Sequence, residues 1–414
     1  MNDKGSFMAL NYLNLVGNAE LMKQLNYAMI YRLIVQQSPI SRIQLAEISQ
    51  LAPASITKIT RQLLNTKLIK EVDIQQSTGG RPAVSIVAKF DYYQAISIQL
   101  SRSHVMIELY NLGAKTLASK RFPLNDFSQQ QTQNYLISLI ELFCLEQQKK
   151  IKNLIAISVV MPGVIDSVKG IVRYTPHIDV NNWALAEILT EKFSVPIFIG
   201  NDVQSLALAE SYFGTTQSVD DSILVRVHRG IGSGVIINQQ LLMNHNQSAC
   251  EVGHIQVNQL GERCHCGNFG CLENQVINVE IEKRARLLLE QGYKSKLTPS
   301  KCDILTICQL ANQGDELAEK LIRSAGEHLG RAVAIMVNIF NPQCIVLAGE
   351  LTKSPEILLN AVNNALNSQS LKQLRENLLL KCSSLDDRSA IGAFALVQQA
   401  LFDGSLLMKL LDEK

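Results

Sequence analysis

The sequence predicts an α/β protein in which a small basic module precedes a larger body of alternating strands and helices. Three observations predict this fold class: the charge of residues 21–90, the alternation of apolar segments from Gln94 onward, and a loop at residues 251–273 that is rich in glycine and cysteine. At 414 residues the chain is long enough for two or three domains with buried cores. Its hydrophobic content of 47% and charged content of 18% are typical of a globular protein.

The composition also argues against several protein classes. No apolar run approaches the roughly 18 residues of a membrane-spanning helix, and the N-terminus lacks the basic and apolar regions of a signal peptide. Nine cysteines spread along a long chain indicate a reducing compartment better than a disulfide framework. We therefore expect a cytoplasmic protein with no membrane insertion.

Positive charge is concentrated near the N-terminus. Residues 21–90 contain nine Lys or Arg side chains against three acidic ones, a net charge of +6, whereas the whole chain carries +2. A compact basic segment on a nearly neutral body suggests a polyanionic partner at one end of the molecule. Charge alone would equally suit an ordinary solvated surface.

Three short helices are predicted in the basic module. Residues 26–37 repeat apolar side chains at helical spacing. Ser41 and Gln44 have the spacing of a capping box that begins a second helix. Pro53 fits the first turn of a third helix, where its missing N–H costs nothing.

The third helix has the composition of a DNA recognition helix. Its apolar residues share one face, and the opposite face carries short polar and basic groups that can reach phosphates and base edges in a major groove. Two alternating strands follow it, joined by a Gly-Gly-Arg-Pro tip, as in a β-wing that can place an arginine in a minor groove. The candidate DNA contacts are Arg42, Ser55, Thr57, Lys58, Arg61, Gln62 and Arg81. A small packing domain or a protein-protein module is the alternative.

These patterns place a winged helix-turn-helix module at residues 1–90, with its wing and linker at 69–90, and the body at 91–414. In the body, strands are predicted within residues 95–110, 153–160, 222–227 and 345–348, and a helix at 132–148. This alternation implies sheets covered by helices. The polar stretch 292–302 is expected to be an insertion or hinge loop.

The cysteine-rich loop predicts a structural zinc site. The C-x-C-G-x-x-G-C spacing supplies glycines where a chain that wraps an ion needs permissive backbone. Four protein ligands with no open position make a tetrahedral zinc site structural rather than catalytic. The expected ligands, within a zinc loop at residues 254–271, are His254, Cys264, Cys266 and Cys271. His265 is interpreted as a bystander, and His245 and Cys250 as less favoured substitutes.

Four long motifs carry a resemblance to a known family. They are L-A-P-A-S-I-T-K-I-T-R-Q-L, S-T-G-G-R-P-A-V-S-I-V, D-S-I-L-V-R-V-H-R-G and G-E-R-C-H-C-G-N-F-G-C-L-E. Through them the chain resembles, nearly end to end, the ROK family of repressors, open reading frames and kinases. The resemblance implies a two-lobed, actin-like ATPase (sugar-kinase-like) fold whose cleft binds a hexose. The implied sugar contacts are Gly163, Asn201, Asp202, Glu251, His254 and Glu273, whose carboxylates and amides suit vicinal hydroxyls.

The motif with which kinases of this family hold phosphate and metal is degenerate here. Those kinases carry D-x-G-G-T on the first strand, whereas the matching residues are Gln99-Leu100-Ser101-Arg102-Ser103. The carboxylate that would help to hold magnesium is missing, and side chains that crowd a phosphate replace both glycines. The candidate base, Asp202, remains, but a base without a placed phosphoryl donor does no chemistry. We therefore predict that the protein is not an enzyme.

A glycine-rich segment at residues 230–234 offers a place for an anion. Backbone N–H groups of such a loop can surround a phosphate, although a plain tight turn explains the pattern equally well. We expect the 6-phosphate of a sugar phosphate to bind here, with Arg226 and His228 as further candidates. The expected contacts are Gly230, Gly232, Gly234 and Arg229.

The resemblance implies a transcriptional repressor of amino-sugar uptake and catabolism genes. It would bind double-stranded operator DNA as a homodimer or homotetramer and be released by a sugar-phosphate inducer, N-acetylglucosamine 6-phosphate. One alternative is a repressor of sugar phosphotransferase genes that is sequestered on a membrane transporter. Another is an active sugar kinase with an added DNA-binding head. The amphipathic segment 405–411 could pack against the N-terminal module or form an ordinary edge helix.

Overall fold

The computed structural model describes residues 19–73, 84–125, 127–176, 178–243, 250–386 and 389–412. Its helices are α1 Ala19–Gln37, α2 Arg42–Ser49, α3 Pro53–Asn65, α4 Gln129–Glu146, α5 Leu185–Phe193, α6 Asp202–Phe213, α7 Glu273–Val276, α8 Asn278–Glu290, α9 Ile304–Ala311, α10 Glu316–Phe340, α11 Pro355–Gln369, α12 Lys372–Arg375, α13 Ile391–Phe402 and α14 Ser405–Asp412. Its strands are β1 Ile40–Ser41, β2 Ile69–Asp73, β3 Val84–Ala88, β4 Gln94–Leu100, β5 His104–Asn111, β6 Thr116–Pro123, β7 Leu154–Met161, β8 Val164–Asp166, β9 Ile171–Tyr174, β10 Ile197–Asn201, β11 Ser222–Val227, β12 Ile231–Ile237, β13 Gln240–Leu241, β14 Cys344–Gly349 and β15 Leu379–Cys382.

Helices α1 to α3 form the predicted helix-turn-helix. The Ser41 side chain accepts a hydrogen bond from the Gln44 N–H, and the Gln44 side chain accepts one from the Ser41 N–H, so the capping box is confirmed. Pro53 occupies the first turn of α3, as predicted. The apolar face of α3 is buried, which fixes the opposite face toward solvent.

A three-stranded sheet of order β1-β3-β2 completes the N-terminal module. β2 and β3 pair antiparallel. They are the expected pair of wing strands. The tip between them, with Arg81, lies outside the described residues.

Two five-stranded sheets with the same topology form the body. The strand order is β6-β5-β4-β7-β10 in the first sheet and β13-β12-β11-β14-β15 in the second. In each sheet three antiparallel strands continue into two parallel ones. Each sheet builds one lobe with its own hydrophobic core. The predicted α/β body and its division into two lobes are therefore confirmed.

The helix that leaves each sheet crosses to the other lobe. α6 follows β10 of the first sheet and packs against β11 and β12 of the second. α13 follows the second sheet and packs against β4, β7 and β10 of the first, as well as against α6. Gly234 on β12 allows this close approach, because a Cβ there would lie 2.5 Å from the Cβ of Ala207 on α6. α6 is thus shared by both lobes.

Helix α1 attaches the N-terminal module to the C-terminal helices. Four of its buried residues belong to one hydrophobic core together with residues of α6, α13 and α14, namely Tyr27, Ile30, Tyr31 and Ile34. The Gln24 side chain donates a hydrogen bond to the Asp403 carbonyl at 2.9 Å. The Tyr31 ring centroid lies 6.3 Å from that of Phe402, and the Arg32 guanidinium lies 5.6 Å above the same Phe402 ring. Of the two interpretations of segment 405–411, packing against the module is the one observed.

Residues 292–302 form a loop, as predicted, but the loop is anchored at its centre. The Asp315 carboxylate accepts hydrogen bonds from Ser295 Oγ at 2.8 Å and from the Lys296 N–H at 2.7 Å, and Leu297 is buried. An anchored loop does not have the freedom of a hinge. The hinge interpretation is therefore not supported.

No single helix in the described ranges has the length and apolar composition of a membrane span. α13 and α14 reach these values only when they are taken together, and they are bent by 66° relative to each other. Nearly all of α13 is buried within the hydrophobic core.

Candidate functional site

The start of α6 lies at a corner between the two lobes. Asn201 is the N-cap of α6, and its side-chain oxygen accepts hydrogen bonds from the Val203 and Gln204 N–H groups, both at 3.0 Å. Its Nδ2 donates to the Gly163 carbonyl at 3.0 Å. Two of the predicted sugar contacts are therefore in direct contact, and Asn201 also has the structural role of a helix cap.

Gly163 occupies a backbone position that excludes other residues. Its φ is +125°, and a Cβ at this position would lie 2.0 Å from the Tyr174 carbonyl oxygen. The M-P-G-V motif thus brings the turn after β7 against β9 and leaves the Gly163 carbonyl facing Asn201. This close approach holds the turn after β7 beside the start of α6.

Asp202, the first residue of α6, forms an ion pair across the lobes. Arg226 Nη1 donates to Asp202 Oδ2 at 2.8 Å, and both side chains are 12% exposed. Arg226 belongs to β11 of the second sheet, where it lies opposite Gly232 of β12. A general base has to accept a hydrogen bond from the hydroxyl that it deprotonates. Here an arginine already occupies one of the carboxylate oxygens.

The predicted sugar contacts of the second lobe lie at a 3₁₀ turn, Val252–His254, and at the first residue of α7. A Cβ on Gly253 would lie 3.3 Å from Ile231 of β12 and 3.4 Å from Glu273 Oε2. His254 Nε2 lies 3.8 Å from the same Glu273 oxygen. Glu251 precedes the turn and is exposed. The start of β12 therefore lies between this turn and α6.

Four candidate metal ligands lie close together, and one of them, His254, belongs to this turn. Their ligand atoms all lie within 4.8 Å of one another, and they are His254, Cys264, Cys266 and Cys271. The Cys266 and Cys271 sulfurs are 3.7 Å apart, and the Cys264 sulfur lies 3.8 Å from His254 Nδ1. Zinc–sulfur bonds of about 2.3 Å at tetrahedral angles place two sulfurs about 3.8 Å apart. The set fits zinc in both chemistry and spacing.

The glycines of the metal loop act as the sequence pattern suggests. Gly270 has a φ of +65°, and a Cβ there would lie 1.6 Å from the Asn258 carbonyl oxygen. The Cys264 N–H donates to the Asn268 carbonyl at 2.7 Å, which closes the loop around the cysteines. Arg331 of α10 donates to the Val257 carbonyl at 2.9 Å and fixes the loop to the second lobe.

Burial and the neighbouring thiols raise the pKa of Cys271 to about 12. A thiolate in that place therefore requires a cation, because a coordinating metal deprotonates a thiol. His265 lies closer to the cluster than a bystander would, with Nδ1 3.7 Å from the Cys264 sulfur and its ring edge-on to that of His254. Cys250 is half-buried outside the four-ligand group, and His245 lies outside the described residues.

The glycine-rich segment is a strand, which corrects its interpretation as an anion-binding loop. Gly232 and Gly234 lie in β12 and pair with β11. A Cβ on Gly232 would lie 2.8 Å from Val203 of α6. Glycine is therefore needed here so that α6 can pack closely against β12. Arg229 and Gly230 are exposed at the hairpin turn. The motif was ambiguous because alternating small and apolar residues suit both a loop and a closely packed strand.

His228, at the same turn, pairs with an acidic residue of the second sheet. His228 Nδ1 lies 2.8 Å from Glu350 Oε2, and Asn278 Nδ2 donates to the same oxygen at 2.9 Å. Burial raises the pKa of Glu350, but the hydrogen bonds from His228 and Asn278 outweigh it and hold that pKa at about 2. His228 is thus held by Glu350 and Asn278.

The degenerate kinase motif covers the end of β4 and the turn to β5. Gln99 is buried, and the Ser101 N–H donates to the His104 carbonyl at 2.9 Å, closing a turn with no glycine. An arginine, Arg102, is exposed at this turn.

The predicted DNA contacts divide into two groups. Ser55, Thr57, Lys58 and Arg61 are exposed along one face of α3. Gln62 instead accepts a hydrogen bond from the Tyr27 hydroxyl of α1. Arg42 donates to Thr60 Oγ1 at 3.1 Å and to Glu71 at 2.6 Å. Arg42 and Gln62 therefore form contacts between elements of the module. A helical wheel, which treats each helix alone, does not show such contacts.

The chain is similar to known proteins along nearly its whole length. The sequence profile of the ROK family matches residues 95–400. The chain is 53% identical to the DNA-binding transcriptional dual regulator NagC of Escherichia coli K12, over 96% of this chain and 98% of that protein. It is 36% identical to the DNA-binding transcriptional repressor Mlc of the same organism, over 96% and 98%.

Solved structures with this fold cover different shares of the chain. A crystal structure of a ROK family transcriptional regulator, described as a homolog of the E. coli MLC protein, superposes with a TM-score of 0.89 at 36% identity, covering 95% of this chain and 100% of that one. A ROK family glucokinase from Streptomyces griseus superposes with a TM-score of 0.63 at 19% identity, covering 74% and 98%. The glucokinase shows the fold alone, and it leaves a quarter of this chain unmatched.

Proposed function

The chain belongs to the ROK family, and on this premise we propose that it is a DNA-binding transcriptional repressor of genes for N-acetylglucosamine uptake and catabolism. The observation that carries the proposal is the extent of the match. Regulators of the family match 95% or more of this chain, whereas the glucokinase structure covers 74% of it. Relatives 53% identical to this chain are named N-acetylglucosamine repressor.

We propose that the exposed face of α3 enters the major groove of operator DNA. The apolar side of α3 is buried against the module, so its polar and basic side chains point outward together. Such an arrangement supports base contacts from short polar groups and phosphate contacts from Lys58 and Arg61. Arg81, at the wing tip, is proposed to contact a minor groove.

We propose N-acetylglucosamine 6-phosphate as the inducer, bound in the cleft at the start of α6. Asn201, Asp202 and Gly163 form one group, and His254 and Glu273 form another across β12. Two walls on different lobes suit a ligand whose hydroxyls are held from both sides. Glu251 completes the proposed set of sugar contacts.

We propose that zinc, held by the four-residue cluster, has a structural role. Four protein ligands leave no position for water or substrate, so the ion would order the loop and set the ring of His254. Through the 3.8 Å approach of His254 to Glu273, an ordered loop also supports the effector wall.

The assembly is proposed to be a homodimer or homotetramer that acts in the cytoplasm. A helix-turn-helix module reads one half-site, and two modules on a closed dimer read a palindrome with fixed spacing. Cleft closure could then act on DNA affinity by changing the distance between the modules.

A second candidate is control by sequestration on a membrane sugar transporter, and a third is an active sugar kinase. A gel-shift titration and a coupled ATPase assay, both with purified protein, separate the three. The proposed function requires operator binding that N-acetylglucosamine 6-phosphate weakens and glucose 6-phosphate does not. Operator binding unaffected by either sugar phosphate would favour sequestration. The proposed function would be refuted by turnover of ATP with amino sugars in a coupled assay, or by a lack of binding to duplex DNA.

A further inference from the structure

The ion pair between Arg226 and Asp202 involves one of several acidic side chains among the proposed sugar contacts. The proposed sugar contacts include three carboxylates, those of Asp202, Glu251 and Glu273. A phosphate monoester carries a charge of about −2 near pH 7. Like charges brought together in a partly buried site repel each other strongly, so a sugar phosphate needs a cation where its phosphate lies.

Arg226 meets this requirement better than the residues at the hairpin turn. Its side chain is 12% exposed and is already in contact with Asp202 at the start of α6. Arg229 is exposed at the turn, and His228 is engaged with Glu350 on the second sheet. The glycines of β12 face α6, where there is no space for an anion between strand and helix.

We propose that Arg226 is the residue that selects a phosphorylated sugar over the free sugar, by binding the phosphate of the effector beside Asp202. This inference rests on the proposed effector cleft and adds the group that distinguishes its ligand. A guanidinium presents five N–H donors in a planar fork, so it can bind a carboxylate and a phosphate oxygen at the same time.

The ion pair prepares Arg226 for this role before the ligand arrives. Asp202 fixes the guanidinium at 2.8 Å, which lowers the entropy that would be lost when phosphate binds. Because Asp202 begins α6 and Arg226 lies on β11, a phosphate that joins this pair bridges both lobes. Binding of the phosphate would therefore favour closure of the two lobes as well as raise the affinity for the effector.

The test is the affinity ratio between N-acetylglucosamine 6-phosphate and N-acetylglucosamine, measured by calorimetry on the full-length protein. Arg226→Gln should lose about tenfold to 100-fold of the wild-type preference for the phosphorylated sugar, the range expected for a charged hydrogen bond. Arg226→Lys, which keeps the charge, should retain part of it. Arg323→Gln on α10, an exposed arginine that pairs with Glu319, should leave the ratio unchanged.

A further variant guards against misfolding. The double variant Asp202→Asn/Arg226→Gln removes both charges, so it leaves no unpaired carboxylate, and its phosphate preference should still lie below that of the wild type because the cation is missing. The proposal is overturned if Arg226→Gln keeps the wild-type ratio, if Arg229→Gln alone abolishes it, or if the wild type does not prefer the phosphorylated sugar. Operator binding without sugar is measured in parallel. Its absence would refute the repressor function, whereas the sugar ratio tests Arg226 independently.

Discussion

At the scale of single residues, identical amino acids in this chain serve different physical purposes. Gly163 has a φ of +125° and lies against the Tyr174 carbonyl, so its backbone conformation requires glycine. Gly234 lies in a strand, and its missing side chain makes room for Ala207 of α6. Both residues occur in motifs that the sequence marked as functional. Sequence motifs identified important glycines, but not the reason for their importance.

Gly163→Ala should therefore damage the cleft. The added Cβ would meet the Tyr174 carbonyl oxygen, and a non-glycine residue at this φ costs about 1–3 kcal/mol in strain alone. We expect a lower midpoint of thermal unfolding and loss of sugar binding. Gly230→Ala, where a Cβ meets nothing within 4 Å, is the matched control for stability. Equal midpoints for the two variants would contradict the prediction.

At the scale of secondary structure, local sequence patterns predict where helices begin, but they do not predict which residues of other helices they contact. Ser41 with Gln44, and Pro53, fixed the starts of α2 and α3, because capping depends on a few adjacent residues. Gln62 was placed on the DNA face, although it bonds to Tyr27 of α1. Neither hydrophobic periodicity nor charge specifies which helix packs where. Such contacts come from tertiary structure.

The outward face of α3 gives a prediction for operator binding. Lys58→Ala and Arg61→Ala should each lower operator affinity and reduce the slope of log affinity against log salt by about 1 for every phosphate contact removed. Lys294→Ala, an exposed lysine of the body, is the control and should leave both unchanged. Gel shifts at several salt concentrations provide the measurement. An unaltered salt slope in both α3 variants would place the DNA elsewhere.

The metal loop gives a prediction about a whole element. Cys271→Ser, or treatment with a chelator, should remove the ion and lower the midpoint of unfolding by roughly 5 °C or more, because metal binding contributes directly to folding. The loop should also become sensitive to proteolysis. Cys250→Ser is the matched control, since Cys250 lies outside the four-ligand group. Metal content is measured by elemental analysis. One equivalent of zinc in Cys271→Ser, or none in the wild type, would contradict the assignment.

At the scale of the whole molecule, α6 runs from the proposed effector cleft toward the contacts with the N-terminal module. Asp202 begins the helix at the cleft, and Tyr212 lies near its other end, about 15 Å away at 1.5 Å per residue. The Tyr212 ring is 5.3 Å from Phe402, whose ring is 6.3 Å from Tyr31 of α1. The sequence could not predict this route. Its members come from three distant segments, and the separation between Tyr31 and Phe402 along the chain hides their contact.

Phe402→Leu should weaken the coupling between effector and operator while leaving both sites intact. Loss of the ring removes the contacts to Tyr31 and Tyr212, and with them the cation–π contact from Arg32. Allosteric coupling of about 1–3 kcal/mol changes affinity 5- to 150-fold, and we expect that factor to approach 1 in the variant.

Phe193→Leu, a half-buried phenylalanine of the first lobe, controls for general loosening of the core. Operator affinity is measured with and without N-acetylglucosamine 6-phosphate, and sugar affinity by calorimetry. A variant that binds both ligands normally and keeps the full effect of the sugar on DNA binding would exclude this contact as the route.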